Sequence, residues 1–364
     1  MIVHNSESRS GIQGSWVQET LTSEGATGLI ITHLPHIRWA CGFTGSNGYL
    51  LVREDKLHLL TDRRYETQVS LEVQQAEIHI GSHDLVNHAI NEDLVDAADR
   101  LLVQPEYMTL AEYTHWETSL SGISLLPRKN LLNSHVAVKS EDAIARMRQA
   151  QLISDSVFEE ICESITPGIR ENELAAMIDY HHMIRGASGM AFETIVAFGA
   201  NSALPHARPT TQELRTGEPV LLDFGCIFNG YASDMTRTLH CGVPEGEFRS
   251  AYKAVQEAQD RAIQVAHDGI KTSEVDQAAR SILTSKGLGE FFSHSTGHGI
   301  GLEVHEWPRI SANSSVTLLK GHTVTIEPGV YLPDKFGIRI EDTVVIGTSA
   351  CERLSHIERD LITI

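Results

Sequence analysis

Between Val220 and Leu239 the chain reads VLLDFGCIFNGYASDMTRTL. Two apolar runs flank Asn229-Gly230, the strongest short-range signal for a hairpin closed by a two-residue type I′ turn. A turn there pairs Phe228 with Tyr231, Gly225 with Asp234 and Asp223 with Thr236. Paired residues share one face of a sheet, and so do residues two apart on a strand. Asp223 and Asp234 therefore leave the same face as diagonal neighbours, roughly 7–8 Å apart at the backbone. Aspartate is depleted in strands, and two carboxylates held this close repel unless a proton or a cation lies between them. The plainer alternative is that both acids face solvent.

Two further segments concentrate groups of the same chemistry. HSTGHGIGLEVHE carries His294, His298 and His305 among glycines 297, 299 and 301. His298 and His305 are seven apart, which on a straight strand puts them on opposite faces; the glycines permit a bend that brings both to one cleft. Each could instead be an ordinary core histidine. In TVTIEPGVYLPDKFGIRIEDTVVI, Glu327 closes one apolar strand and Glu341 lies inside the next. A carboxylate buried there needs a partner. Arg339, on the same face, could be that partner. Together the segments offer four carboxylates and at least one imidazole. Oxygen-rich ligation with one histidine suits Mn²⁺, and Co²⁺ or Zn²⁺ less distinctively. Neither an HExxH helix nor a GxSxG elbow is present, so those peptidase mechanisms have no support.

With 364 residues the chain has room for two domains. The first third alternates short strands and helices: TGLIITH, the strand pair in GYLLVREDKLHLLTD, AEIHIG, and a helical pattern over DLVNHAINEDLVDAADRLL. The boundary is expected in LLPRKNLLNSHVAVKS. Beyond it come helices over SEDAIARMRQAQLISDSVFEEICES, with Ser140 as N-cap, and TPGIRENELAAMIDYHHMIRG, stopped by Gly186. Two more follow, at EGEFRSAYKAVQEAQDRAIQVAHDG and SEVDQAARSILTSKG. A formal charge of −19 argues against nucleic acid and anionic membranes as partners. The five scattered cysteines form no CxxC pair and suit a reducing cytoplasm. No signal-peptide pattern and no apolar span long enough for a bilayer is read from the sequence.

These motifs resemble the pita-bread metallopeptidases, in particular the aminopeptidase P and prolidase branch. The resemblance rests on LLDFG, YASDMTRT, GHGIGLEVHE, IEPGVY and GIRIED, with NSALPHARPT upstream. It extends to HIRWACGFTGSNGYLLV and LLTDRRYETQ in the first third. It implies an α+β fold: a smaller α/β creatinase-like domain over 1–135, then a pita-bread catalytic domain over 136–364. It implies that two divalent ions are held by Asp223, Asp234, His298, Glu327 and Glu341, with Asp234 and Glu341 bridging. It further implies that an activated water attacks the scissile carbonyl, with Glu327 as proton carrier and His305 and His206 steadying the tetrahedral intermediate. His294, Tyr331 and Arg339 would line the pocket for a proline ring, His294 also acting in catalysis.

The activity implied is that of a Xaa-Pro aminopeptidase, a cytoplasmic homodimer cutting short proline-containing peptides after their first residue. The alternative within the branch is a Xaa-Pro dipeptidase (prolidase) restricted to dipeptides. A methionine aminopeptidase is disfavoured by the substantial N-terminal domain and the GFTGSN segment. The complete ligand set disfavours a metal-free creatinase-like hydrolase and a non-catalytic pita-bread binding module.

Overall fold

The computed structural model describes residue 12 and residues 15–364. Its contacts divide the chain into two compact units, Met1–Val136 and Ala137–Ile364.

The first unit is built on a six-stranded sheet. Its strands are β1 (Gly28–Ile31), β2 (Gly48–Val52), β3 (Leu57–Asp62), β4 (Glu77–Gly81), β5 (Arg100–Val103) and β6 (Ser124–Pro127), in the order β4-β3-β2-β1-β5-β6. The β1–β2 and β2–β3 pairs are antiparallel, whereas β3–β4, β1–β5 and β5–β6 are parallel. A tight turn with Arg53 N–H on Lys56 O joins β2 to β3, as the polar break there predicts. The helical pattern over DLVNHAINEDLVDAADRLL is only half realised. The helix runs Leu85–Asn91 and the segment ends in β5. Asp93 takes a positive φ of 52°, and Asp96 turns its carboxylate onto the Ala98 N–H. Such Asx contacts compete with helical bonds, and the apolar residues that remain are claimed by the middle of the sheet.

The second unit combines helices with antiparallel sheets. The helix over Glu141–Cys162 starts where Ser140 accepts from Ala143 N–H at 3.2 Å, and the helix over Glu171–Ile184 is followed by Gly186 at φ 96°. Val157, Phe158, Leu174 and Ile178 of this pair pack on Val196, Val220, Leu222 and Phe224. These belong to a sheet of β8 (Ile195–Phe198), β9 (Pro219–Phe224) and β12 (Met235–His240), ordered β12-β9-β8; β7 (Gly189–Met190), β10 (Cys226–Phe228) and β11 (Tyr231–Ala232) form a smaller one.

The helices over Gly246–Val265 and Thr272–Ser285 repeat the arrangement, packing on Val324, Ile326 and Val344. Their sheet contains β13 (Gly297–Gly299), β14 (Glu306–Ile310), β15 (Thr323–Ile326), β18 (Asp342–Ile346) and β19 (Cys351–Arg353). The strands β16 (Gly329–Leu332) and β17 (Phe336–Arg339) form a separate hairpin. Each helix pair thus claims one face of a sheet and leaves the other face free for polar groups. Among the described residues no helix is long and apolar enough to cross a membrane.

Candidate metal centre

The Asn229-Gly230 turn has φ 48° and 79°, the doubly positive pair a type I′ turn requires. Phe228 pairs with Tyr231 and Asp223 with Thr236, the register read from the sequence. On β9, Val220, Leu222 and Phe224 enter the core, so alternation turns Asp223 the other way. Asp234, two residues before Thr236, shares that face.

The other acids arrive at the ends of their strands. Ile326 pairs with Asp342, and Glu327 and Glu341 lie one step beyond that pair. Glu341 was expected inside a continuous strand. Instead the backbone breaks at 340–341 between β17 and β18, and the Glu341 N–H donates to Thr236 O across to β12 at 3.1 Å. This contact carries Glu341 to Asp234. Gly297 permits the close approach that positions His298. A Cβ there would lie 1.9 Å from Thr325 O. The register then shifts between His298 and Gly299, and the following turn brings the His305 ring to 4.5 Å from that of His298. This is the bend the glycines made possible.

One cavity of about 620 Å³ collects Asp223, Asp234, His298, Glu327 and Glu341. His206, His294, His305 and Arg339 line the same cavity. Ligand atoms of Asp234, His298 and Glu341 all lie within 4.8 Å of one another. His298 Nε2 is 3.7 Å from Asp234 Oδ2 and 3.5 Å from Glu327 Oε1. Its Nδ1 lies 3.0 Å from Gly299 O and donates there. The Nε2 lone pair is thereby fixed toward the carboxylates, the orientation a metal ligand needs.

Arg339 does not serve Glu341, as its position on the sequence allowed. It pairs with Asp223 Oδ2 at 2.5 Å, while Glu341 Oε2 accepts from Thr236 Oγ1 at 2.6 Å. The other Arg339 donors reach Thr236 Oγ1, Pro205 O and the Tyr331 hydroxyl. Tyr331 does not line the cavity. Its hydroxyl stands behind the wall, 2.9 Å from His294 Nε2, whose Nδ1 donates to Ser295 O. Thr236 is a site residue that sequence reasoning passed over. Its hydroxyl joins Glu341 to Arg339, and only its place opposite Asp223 in the hairpin register could have drawn notice.

The electrostatics are those of a site lacking positive charge. Burial, with Glu341, Asp223 and Glu327 alongside, pushes the Asp234 carboxyl well above the usual range. Burial and the neighbours Glu327 and Asp223 do the same to Glu341. Burial lifts Glu327 to about 7. Burial opposes the charge on Arg339, but Tyr331 and the surrounding carboxylates outweigh it and keep the guanidinium firmly charged. One buried cation against four carboxylates leaves a net charge near −3 if all ionise, so protons or metal ions must complete the site. Asp223 Oδ1 is buried with no hydrogen-bond partner among the described residues. An orphaned oxygen, a preset imidazole lone pair and three more carboxylates fit divalent cations bound through oxygen.

Residues 145–348 match the model of metallopeptidase family M24, and residues 15–135 match that of the creatinase/prolidase N-terminal domain. A Xaa-Pro dipeptidase of Pyrococcus furiosus is 43% identical over 225 residues, covering 62% of this chain and 65% of that protein. The structure of a Xaa-Pro dipeptidase from Bacillus anthracis superimposes with a TM-score of 0.91 at 32% identity, over 96% of this chain and 98% of the other. That of an X-Pro aminopeptidase from Thermotoga maritima gives 0.87 at 33% identity, over 95% and 100%.

Proposed function

This chain belongs to metallopeptidase family M24, and on that premise we propose that it is a Xaa-Pro dipeptidase, a prolidase. The observation that carries the reading is the convergence of four carboxylates and His298 on one cavity. The sequence put the aminopeptidase first and the dipeptidase second. The dipeptidases of P. furiosus and B. anthracis support the reverse order. We assign residues 1–135 to the creatinase-like domain, 136–364 to the catalytic one, and the enzyme to the cytoplasm.

Asp223, Asp234, His298, Glu327 and Glu341 would hold two divalent ions, for which the oxygen-rich donor set favours Mn²⁺. Bound there, the ions would supply Lewis acidity at the scissile carbonyl and a more acidic water. The remaining work belongs to side chains. Glu327, whose carboxylate lines the cavity 3.5 Å from His298 Nε2, is placed to take a proton and return it to the departing proline nitrogen. His305 is held neutral, chiefly by partial burial and then by His298 and His206, and so offers one N–H to a developing oxyanion. His206 acts beside it. His294 is pushed down to about 4 by burial and by Arg339, so it stays neutral. With Arg339 it forms a wall of the cavity against which a proline ring can rest, and the Tyr331 hydroxyl braces both from behind. The Xaa-Pro amide has no N–H, and a shape-defining wall that does not depend on one is appropriate to it.

The test is hydrolysis of Ala-Pro against Ala-Pro-Ala in the presence of Mn²⁺. Ala-Pro should be cleaved and the tripeptide left intact. Comparable kcat/KM on both would return the assignment to aminopeptidase P, and cleavage of neither would overturn the Xaa-Pro reading. We also propose that the enzyme is a homodimer. Light scattering should give twice the chain mass of 40.1 kDa; a monomer with full activity would rule out the dimer requirement.

A further inference from the structure

On the sheet of the first unit two imidazoles and a carboxylate meet. The strands β3 and β4 run parallel with His58 opposite Glu77. Glu77 and His79 are two apart on β4 and so share a face, and it is the face of His58. Three ligand-capable groups thus leave one patch at the edge of the sheet. His58 Nδ1 and His79 Nε2 are 3.1 Å apart, and Glu77 Oε2 is 3.6 Å from His58 Nδ1. One ligand atom from each residue lies within 4.8 Å of both others. We propose that His58, Glu77 and His79 form a separate binding site for a borderline divalent cation, Zn²⁺ in the first instance.

Three features support the assignment. The first is separation. Two nitrogens bound to zinc at about 2.0–2.1 Å in tetrahedral geometry lie about 3.3 Å apart, and the observed 3.1 Å requires almost no movement. The second is the tautomer. For both facing nitrogens to present lone pairs, His79 must carry its proton on Nδ1. Glu92 Oε2 stands 3.8 Å from that atom, outside hydrogen-bond distance, and favours the proton there by its charge alone. The third is accessibility. The His58 and His79 side chains are 13% and 11% exposed while Glu77 is 54% exposed, so the imidazoles are preset and the carboxylate can swing to close on an ion. Lys56 Nζ, 3.7 Å from Glu77 Oε2, is a competitor for that carboxylate; the pair is solvent-exposed and weak. Two nitrogens and one oxygen favour Zn²⁺ over Mn²⁺, the opposite of the oxygen-rich centre in the second unit.

The test is equilibrium dialysis of the full chain against Zn²⁺ followed by metal analysis, with wild type beside His79→Gln and His58→Gln. Because zinc can also enter the other centre, the difference between proteins is what counts. Each variant should bind one equivalent less than wild type and keep its Mn²⁺-dependent peptidase activity. Zinc should also raise the melting temperature of wild type by more than that of either variant, because the ion ties β4 to β3. Equal zinc content in wild type and in either folded variant would overturn the proposal. Should both histidine variants fail to fold, Glu77→Gln, altered at an exposed side chain, must show the same loss of one equivalent.

Discussion

Asp234→Asn should hold fewer than two ions at saturating metal and lose at least about 10³-fold in kcat/KM, several kcal/mol of transition-state stabilisation at about 1.4 kcal/mol per decade. The reason is position. Asp234 is the carboxylate closest to His298 Nε2 after Glu327, and it groups with His298 and Glu341 within 4.8 Å. Its removal takes an oxygen from the middle of the donor set. The same change should have the opposite sign on the stability of the metal-free protein. Without cations, burial and the adjacent acids raise the Asp234 carboxyl well above its unfolded value. A carboxyl raised on folding weakens the fold as pH climbs through its folded pKa, and the penalty disappears as pH falls below the unfolded one. The neutral amide of the variant carries no such penalty. Metal-free Asp234→Asn should therefore melt at or above metal-free wild type at pH 8, and the gap should narrow as pH is lowered toward 5. Metal analysis, steady-state kinetics and melting curves in chelator check the three statements. A variant that kept two ions and full activity would remove Asp234 from the ligand set.

The range of the interactions decides which parts of this arrangement could be read from the sequence. The Asn229-Gly230 hairpin is local. Its turn residues dictate positive φ, the turn dictates the register, and the register puts Asp223 opposite Thr236. The long helices were equally visible, because Ser140 and Gly186 mark their ends with chemistry that works over one turn. By contrast, the pairing of Arg339 with Asp223 joins strands of different sheets, and spacing along β17 pointed to the nearer Glu341. The break at 340–341 was invisible for the same reason, since Thr236 O on β12 captures the Glu341 N–H. Apolar periodicity after Asp84 continues past Asp93, but the helix ends at Asn91, where a positive φ at Asp93 and side-chain contacts to the backbone stop it. In AEIHIG the alternation of Glu77 and His79 was on display. Their meeting with His58 depends on a parallel register set by a crossover, which no local signal encodes.

His305→Ala and His206→Ala should each lower kcat by roughly 10²-fold or more, the scale of losing a positioned donor or proton carrier, with KM changed much less. Both rings line the cavity, yet neither is among the five residues proposed to hold the ions, so metal content should remain that of wild type. Both residues keep much of their surface open to solvent, and truncating them should shift the melting temperature little. A loss of activity from misfolding is thereby separated from a loss of chemistry. The two roles they could play differ in a further readout. A donor to the oxyanion acts through an N–H, which an amide side chain can replace in part, whereas a proton carrier needs a titratable nitrogen, which it cannot. His305 is held neutral by partial burial, His298 and His206, and that state suits a donor. His305→Gln should accordingly recover a measurable part of the rate lost in His305→Ala. If the glutamine variant is no better than alanine, His305 moves a proton instead. If either alanine variant loses its metals, that histidine is a ligand and the five-residue donor set is incomplete.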